Sequence, residues 1–339
     1  MRVAVYHGKG DVRLEERPVP AIGPGELLVK IGACGICGSD LMDWYLAPRA
    51  PLVLGHEPAG TVAAVGKGVR GFRPGDRVFI HHHVPCGTCA LCRKDRETLC
   101  AEFHKSRIEP GGFAEYVRVP APQVRKDVLK VPASMPLDVA AVIEPVACAV
   151  RGWRRVPDPK GTRVAVIGCG FAGQVMIRLA RLKGAARITA VDPVPERRAR
   201  AKRSGADARE TLEDEHDLII VCAGHPDATR AAVRHAAPGG TVLLFAPTPS
   251  GMDVPLDTHR MFFKEISIVT TYSAGPRDTR EALRLMTGKG GRRGTRASGA
   301  APPLRVQDLI THRVPLAQAG EALRLAASPA EALKVVLTP

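Results

Sequence analysis

The chain has 339 residues, a length typical of two domains, and 45% of them are hydrophobic, so we expect a substantial core. It lacks an apolar run of about 18 residues, which predicts no membrane span and no membrane partner. The net charge of +15 is compatible with nucleic-acid binding, but the basic residues are scattered and aromatic residues make up only 4%. We therefore expect no nucleic-acid partner and interpret the charge as a solvated surface.

The cysteine content indicates in which cellular compartment the protein is expected. Nine cysteines occur without the pattern of a secretion signal, because the first residues, Met1–Tyr6, have the pattern of a strand. Cysteines in such a context are more often metal ligands than disulfide partners. We expect a cytoplasmic protein.

Residues 1–145 are rich in glycine, proline and β-branched residues, with short runs of alternating polarity. Turn signals such as Gly23-Pro24-Gly25 separate these runs. The pattern predicts an all-β, barrel-like domain with strands that include residues 27–31, 60–65 and 76–80.

Residues 146–273 alternate between strand and helix patterns, which predicts an α/β domain with a doubly wound parallel sheet. The predicted strands are 163–167, 187–191, 216–222, 241–245 and 266–271, and the predicted helices are 172–183 and 196–204.

Residues 274–339 are too few for a further domain and are expected to return to the first one. They have helix patterns near 279–287 and 316–327 and a strand pattern at 334–337. The stretch 288–303, rich in glycine, arginine and alanine, predicts a mobile loop.

Four cysteines lie close together in a lobe at residues 84–101. They follow the spacing C-x2-C-x2-C-x7-C and are Cys86, Cys89, Cys92 and Cys100. Four thiolates at this spacing can close a tetrahedral site around zinc. Such a site has no open position for a substrate, so we predict a structural zinc ion.

A glycine motif follows the predicted strand 163–167. Gly168, Gly170 and Gly173 form G-x-G-x-x-G, enclosing Phe171 and Ala172, and a helix begins there. In this context the motif predicts a turn that binds the pyrophosphate of a dinucleotide.

An acidic residue follows the motif at the distance that ribose recognition requires. Asp192 ends the next strand, 19 positions after Gly173, where a carboxylate favours NAD over NADP. Arg197 lies nearby and softens that preference, so NAD is predicted and NADP is the less favoured cofactor.

A second group of candidate ligands lies upstream. Cys37, Ser39 and Asp40 share one turn, and His56 and Glu57 follow another strand. With Glu144 they could form a mixed zinc shell with an open position. The spacing leaves alternatives open, because a lone His-Glu pair is often structural and Cys34 with Cys37 could be an ordinary C-x2-C pair.

Taken together, these motifs resemble the zinc-dependent medium-chain dehydrogenase/reductase superfamily, which pairs a GroES-like β-barrel catalytic domain with a Rossmann cofactor domain. The resemblance covers nearly the whole chain, and Glu144-Pro145 is similar to the sorbitol (L-iditol) and threonine dehydrogenase branch. The matching segments are Gly35–Asp40, Gly55–Glu57, Gly71–Val78, the four-cysteine lobe, Gly111–Tyr116 and Ile310–Arg313.

The resemblance implies a catalytic and a structural zinc ion in each subunit. Cys37, His56 and either Glu57 or Glu144 would hold the catalytic ion. Asp40 would orient His56, and Ser39 would relay the proton of the substrate hydroxyl. Relatives often have histidine where this chain has Met42, so the proton would leave through solvent or a group such as Asp43.

The implied reaction is the NAD(P)-linked oxidation of a secondary alcohol or polyol to a ketone, as in sorbitol/L-iditol dehydrogenase. A threonine- or inositol-type dehydrogenase is the alternative within the family. Outside the zinc enzymes, a zinc-free reductase or a zinc-bearing nucleic-acid-binding protein is less favoured. Related enzymes are mostly tetramers or dimers, so a homotetramer or homodimer is expected.

Three consecutive histidines, residues 81–83, precede the four-cysteine lobe. The cysteines already supply a full tetrahedral set, so we expect one of these histidines to line the substrate pocket and not to bind a third metal ion.

Overall fold

The computed structural model describes residues 1–288 and 302–339, and these form two compact units. Unit 1 comprises Met1–Ala147, Ala274–Arg284 and Arg305–Pro339. Unit 2 comprises Cys148–Ser273 and the described part of Leu285–Leu304. Most of the predicted loop 288–303, namely residues 289–301, lies outside the described residues.

The described residues form strands of two to nine residues. In chain order they are β1 (Arg2–Gly8), β2 (Asp11–Glu16), β3 (Leu27–Gly35), β4 (Leu52–Val53), β5 (Glu57–Val65), β6 (Arg77–Ile80), β7 (Tyr116–Val119), β8 (Val128–Lys130), β9 (Arg163–Ile167), β10 (Arg187–Val191), β11 (Asp207–Arg209), β12 (His216–Val221), β13 (Ala236–Leu244), β14 (Ser267–Thr270), β15 (His312–Pro315) and β16 (Val335–Thr338).

The helices are mostly short in unit 1 and longer in unit 2. They are α1 (Asp43–Leu46), α2 (Ala90–Arg93), α3 (Ala101–Lys105), α4 (Ala121–Asp127), α5 (Leu137–Ala141), α6 (Ile143–Arg154), α7 (Phe171–Leu182), α8 (Pro195–Arg203), α9 (Pro226–Arg234), α10 (Thr258–Phe263), α11 (Pro276–Met286) and α12 (Ala319–Ala326). None of the described helices has the length and apolar content that crossing a membrane requires.

Unit 1 is built on antiparallel sheets. One sheet has the order β15-β16-β3-β5-β6-β8, with β7 also pairing with β3, and a smaller sheet has the order β2-β1-β4. Strand β3 shows why the sequence folds this way. Its residues Leu27, Val29 and Ile31 are buried at every second position, as expected for a strand with one face on a core.

The tail of the chain completes the larger sheet of unit 1. Strand β16 pairs antiparallel with β3, with Val336 opposite Gly35 and Leu337 opposite Cys34. The tail therefore lies beside the turn that carries Cys37.

Unit 2 contains a six-stranded parallel sheet with the order β11-β10-β9-β12-β13-β14. Its central strand β9 is buried on both faces, since Val164, Ala165 and Val166 are inaccessible to solvent. The strand order reverses beside β9, and in doubly wound sheets ligands bind at such a reversal. The predicted fold class, a β domain of GroES type with a Rossmann-like domain, is confirmed.

Candidate active site

A short turn after β3 presents Cys37. The backbone N–H of Ile36 donates to the carbonyl of Val335 at 2.9 Å, which ties the end of β3 to β16. A 3₁₀ turn, Gly38–Leu41, follows, and its buried Asp40 accepts a hydrogen bond from the Cys37 N–H through Oδ2 at 2.9 Å. Asp40 therefore fixes the backbone on which the Cys37 thiol is mounted.

His56 and Glu57 enter the site at the start of β5. The preceding Gly55 has φ +92°, and a Cβ there would lie 2.4 Å from the Phe113 ring. Glycine is thus required for the bend that aims both side chains inward. One donor atom each from Cys37, His56 and Glu57 lies within 4.8 Å of the others.

Negative groups surround His56. Its Nδ1 lies 3.6 Å from Asp40 Oδ1. Burial alone would lower the pKa of His56, but Asp40 and Cys37 outweigh burial and raise it well above its usual value. The electrostatic field at this point favours a positive charge, such as a metal cation.

The Glu57 carboxylate is fully buried and incompletely satisfied. Lys334 Nζ donates to Oε1 at 2.7 Å and to the carbonyl of Ile36 at 2.8 Å. Nζ also lies 2.5 Å from Oε2, but without hydrogen-bond geometry, so Oε2 is left buried without a hydrogen-bond partner among the described residues. We regard the contact to Oε2 as an ion pair only.

This donor set fits zinc. A thiol, an imidazole and a carboxylate oxygen are the ligand types that zinc accepts, and three protein ligands leave a fourth position open. Glu57 Oε2 makes no hydrogen bond among the described residues, although Lys334 Nζ lies 2.5 Å from it, so this oxygen retains the capacity to bind a metal ion. Zinc can therefore be held here by Cys37, His56 and Glu57.

Gly35 makes room for the Glu57 carboxylate. A Cβ at position 35 would lie 1.9 Å from Glu57 Oε2 and 3.0 Å from Lys334 Cε. No side chain fits there without displacing the ion pair.

Glu144, the other predicted acidic ligand, lies buried on α6. It does not belong to the group whose donor atoms lie within 4.8 Å of one another. It is close enough to act on Glu57, because the pKa of Glu57 is raised first by burial and further by Glu144, while Lys334 opposes both.

Ser39 and Met42 are half-buried in and just after the 3₁₀ turn. The neighbouring Asp43 accepts a short hydrogen bond from the Tyr6 hydroxyl. Burial and this bond raise the pKa of Tyr6 to about 12. One Asp43 oxygen is thus already used as an acceptor by Tyr6.

The four predicted cysteines of the lobe come together. Their sulfur atoms lie within 4.8 Å of one another, with Cys86 and Cys89 at 3.8 and 3.6 Å from Cys92. Backbone N–H groups of Thr88 and Cys89 point at the Cys86 sulfur and lower its pKa to about 5. The Cys86 thiolate is supported in this way, and four cysteine sulfurs at these separations suit a closed tetrahedral zinc site.

The glycine turn of unit 2 has the geometry of a phosphate-binding loop. Gly168 has φ +92°, and a Cβ on Gly173 would lie 1.9 Å from the Gly168 carbonyl. A Cβ on Gly170, by contrast, would meet only the Arg197 guanidinium, at 3.7 Å. The space above Gly170 is therefore open to a ligand at the start of α7, where Phe171 and Ala172 begin the helix.

Asp192 is buried behind this turn. Its Oδ2 accepts from the Cys169 N–H at 2.7 Å and its Oδ1 from the Val194 N–H at 2.8 Å. Arg197 lies 3.9 Å from Oδ2, too far for a hydrogen bond. The carboxylate thus holds the glycine turn itself.

The three consecutive histidines have different surroundings. His81 Nδ1 donates to buried Asp127 at 2.6 Å, and His83 Nδ1 donates to the Ser106 carbonyl at 2.5 Å. Neither nitrogen of His82 has a hydrogen-bond partner in the described part of the chain, and its Nδ1 is buried. Its ring centroid lies 6.5 Å from that of His56.

Sequence reasoning missed Lys334. It lies 277 residues from Glu57, and burying a lysine requires a partner that the sequence does not identify. The only local signal is its position as the first residue of the predicted strand 334–337, where a buried side chain is common.

Comparisons with known proteins agree with this geometry. The family model described as "Alcohol dehydrogenase GroES-like domain" matches residues 23–133, and the one described as "Zinc-binding dehydrogenase" matches residues 172–288. Sorbitol dehydrogenase of Bombyx mori is 31% identical over 98% of this chain and 97% of its own length.

A second relative and a solved structure are similar over the same extent. L-threonine 3-dehydrogenase of Caldanaerobacter subterraneus subsp. tengcongensis is 30% identical over 99% of this chain and 98% of its own length. The crystal structure of galactitol-1-phosphate dehydrogenase from Escherichia coli superposes with a TM-score of 0.84 at 30% identity, and the match covers 100% of both chains. The protein is an oxidoreductase with zinc and a nicotinamide cofactor, and it belongs to the zinc-dependent medium-chain dehydrogenases, in their sorbitol dehydrogenase branch.

Proposed function

We propose that the protein oxidises a secondary hydroxyl of a polyol to a ketone, as sorbitol/L-iditol dehydrogenase does, with NAD as the preferred cofactor. The observation that carries the proposal is the group formed by Cys37, His56 and Glu57, in which one buried carboxylate oxygen has no hydrogen-bond partner among the described residues. Such a set is suited to a metal ion with one position left for an alcohol oxygen.

We propose Cys37, His56 and Glu57 as the ligands of the catalytic zinc, with Glu144 nearby but outside the ligand group. The proximity of the three donor atoms supports this choice of glutamate. When bound, zinc supplies a Lewis acid that acidifies the substrate hydroxyl, and the nicotinamide ring supplies the hydride acceptor.

The remaining roles fall to side chains of the same turn. Asp40 orients the Cys37 backbone and the His56 ring, a task supported by its contacts with both. Ser39 receives the proton of the substrate hydroxyl on Oγ as it releases its own proton outward. Because Met42 cannot carry a proton and Asp43 is bonded to Tyr6, we propose solvent as the exit.

In unit 2 we propose that Gly168, Gly170, Phe171, Ala172 and Gly173 bind the pyrophosphate of the cofactor. Asp192, whose carboxylate also holds the turn through the N–H groups of Cys169 and Val194, and Arg197 would lie beside its adenosine ribose. A carboxylate there favours NAD by repelling a 2′-phosphate. Cys86, Cys89, Cys92 and Cys100 would hold the structural zinc.

The test is a screen for NAD reduction with sorbitol, other polyols, inositol, simple secondary alcohols and threonine, with zinc content measured in parallel. We expect the protein to oxidise polyols, and we expect a zinc chelator to abolish this activity. Equal activity in a Cys37→Ala protein that is shown to lack one zinc ion would contradict the mechanism.

Threonine is the second candidate substrate, because a threonine dehydrogenase matches nearly the full chain at almost the same identity as the sorbitol enzyme. The two candidates separate cleanly in the screen. A specificity constant for L-threonine above that for every polyol would favour the alternative.

We also propose a homodimer or homotetramer in a reducing compartment, the cytoplasm. Phe262 and Phe263 are 77% and 71% exposed on α10, and β14 is an edge strand of the parallel sheet. A second copy of the chain would cover these aromatic rings. Analytical ultracentrifugation tests this: a monomer in the wild-type protein contradicts it, and Phe263→Ser is expected to weaken assembly.

A further inference from the structure

His82 differs from its two neighbours because its side chain has no hydrogen-bond partner among the residues that the structure describes. His81 and His83 each donate Nδ1–H to a fixed acceptor, whereas both nitrogens of His82 are unpartnered among the described residues. A buried, unsatisfied imidazole nitrogen costs free energy unless a ligand or water satisfies it. The group is therefore available to recognise something that binds beside it.

The His82 ring is held in place although neither of its nitrogens has a hydrogen-bond partner among the described residues. It packs edge-on against His83 with centroids 4.4 Å apart, and Gln123 donates to the His82 carbonyl at 3.3 Å. A side chain fixed in this way is prepared for hydrogen bonding without further ordering.

Its position is next to the candidate metal site but outside it. The His82 ring centroid lies 6.5 Å from that of His56, and no His82 atom belongs to the group of donors within 4.8 Å of one another. His82 is thus not a ligand. It lies beside the candidate ligand His56, on the edge of the candidate site.

The hydrogen-bonding groups of His82 determine what it can recognise. A neutral imidazole offers one N–H donor and one acceptor. A hydroxyl can both donate and accept, so either nitrogen of the ring can pair with it.

We propose that His82 is a specificity-determining residue that binds a second hydroxyl, on the carbon next to the one oxidised, and so selects vicinal diols over simple alcohols. The inference rests on the proposed function and narrows its substrate class. A site that hydrogen-bonds a substrate hydroxyl discriminates strongly against the analogue that lacks it.

The experiment compares 2,3-butanediol with 2-butanol, which share a carbon skeleton and differ by one hydroxyl. The ratio of their kcat/KM values is measured with zinc-loaded wild-type, His82→Phe, His82→Asn and His83→Asn proteins. Zinc content and thermal unfolding show that each variant is intact.

We expect the ratio to favour the diol in the wild-type protein and to fall about 10- to 100-fold in His82→Phe. His82→Asn keeps an amide donor near the position of Nδ1 and should retain part of the ratio. His83→Asn keeps the donor to Ser106 and should leave the ratio as it is.

A ratio that changes less than twofold in His82→Phe overturns the proposal, as does an equal fall in His83→Asn. Wild-type protein that oxidises neither alcohol nor any other polyol contradicts the proposed function itself. An active wild type with an unaffected ratio contradicts only the role of His82.

Discussion

The two candidate metal-binding clusters in the described part of unit 1 are assembled in different ways. The four cysteines lie within 15 consecutive residues, Cys86 to Cys100, and local N–H groups support their sulfurs. The mixed cluster takes Cys37 from the end of β3, His56 and Glu57 from the start of β5, and its counter-ion Lys334 from the residue before β16. One cluster is local in sequence, whereas the other depends on the sheet being complete.

This difference predicts how substitutions in each cluster affect stability and activity. A local cluster depends mainly on its own ligands, so its loss should affect mostly the lobe that contains it. A cluster built on paired strands holds a buried charge, so damage there should affect both chemistry and folding. The variants below test this contrast.

The largest effect is expected for Cys37→Ala. Loss of the Lewis acid removes several kcal/mol of transition-state stabilisation, so kcat/KM should fall by about 1,000-fold or more. Zinc analysis should show one ion per subunit in place of two. The matched control is Cys34→Ala, which removes a buried cysteine outside the ligand group and should keep both ions.

Lys334→Met should come next. It leaves the Glu57 carboxylate buried without its counter-ion and should lower the free energy of unfolding by about 3–5 kcal/mol. Denaturant titration measures this. Adding Glu57→Gln to Lys334→Met removes the stranded charge and should restore part of the loss; if the double variant is as unstable as the sum of the single ones, the pair is not coupled.

Cys89→Ser should have a smaller effect, and mainly on stability. Loss of the closed site should release one zinc ion and destabilise the lobe by about 2–4 kcal/mol, by analogy with the loss of a cross-link. Specific activity of the protein that remains folded should fall far less than in Cys37→Ala. A loss of turnover as large as that of Cys37→Ala would abolish the contrast between the clusters.

The smallest effect concerns pH. Burial lowers the pKa of His83 to about 4, so the folded state keeps this ring neutral, while the unfolded chain binds a proton below about pH 6.5. Its contribution to stability is therefore complete above pH 6.5 and is lost as the pH falls toward 4. In His83→Asn the fall in unfolding free energy over this interval should be smaller by about 1–2 kcal/mol. Identical pH profiles would show that the ring titrates normally.

Much of the fold was predictable, because its signals are local. The alternating burial of β3 and the doubly buried β9 follow directly from the positions of their apolar residues. Helix α6 was not predicted. Glu144 and Pro145 lie at the predicted boundary between the two domains, where a proline indicates a break in secondary structure. In the structure Pro145 lies in the first turn of α6, where a proline is tolerated.

The candidate site was only partly predictable. Its motif residues, such as Cys37 and His56, are recognisable by type and spacing. The partners Lys334 and Tyr6 are not, because each meets its carboxylate only when segments that are remote in sequence fold together. The selection of Glu57 over Glu144 as a zinc ligand remains a prediction, which the three-residue group supports.

Gly35 has a genetic consequence. Every missense change at this codon adds at least one carbon atom, and the first such atom would fall 1.9 Å from a Glu57 oxygen. No conservative replacement exists at this position, although glycine is usually regarded as a neutral residue. The substitution Gly35→Ala adds a single methyl group on the neighbouring strand. It should therefore displace the Glu57 side chain from the candidate metal site although Cys37, His56 and Glu57 themselves are unchanged.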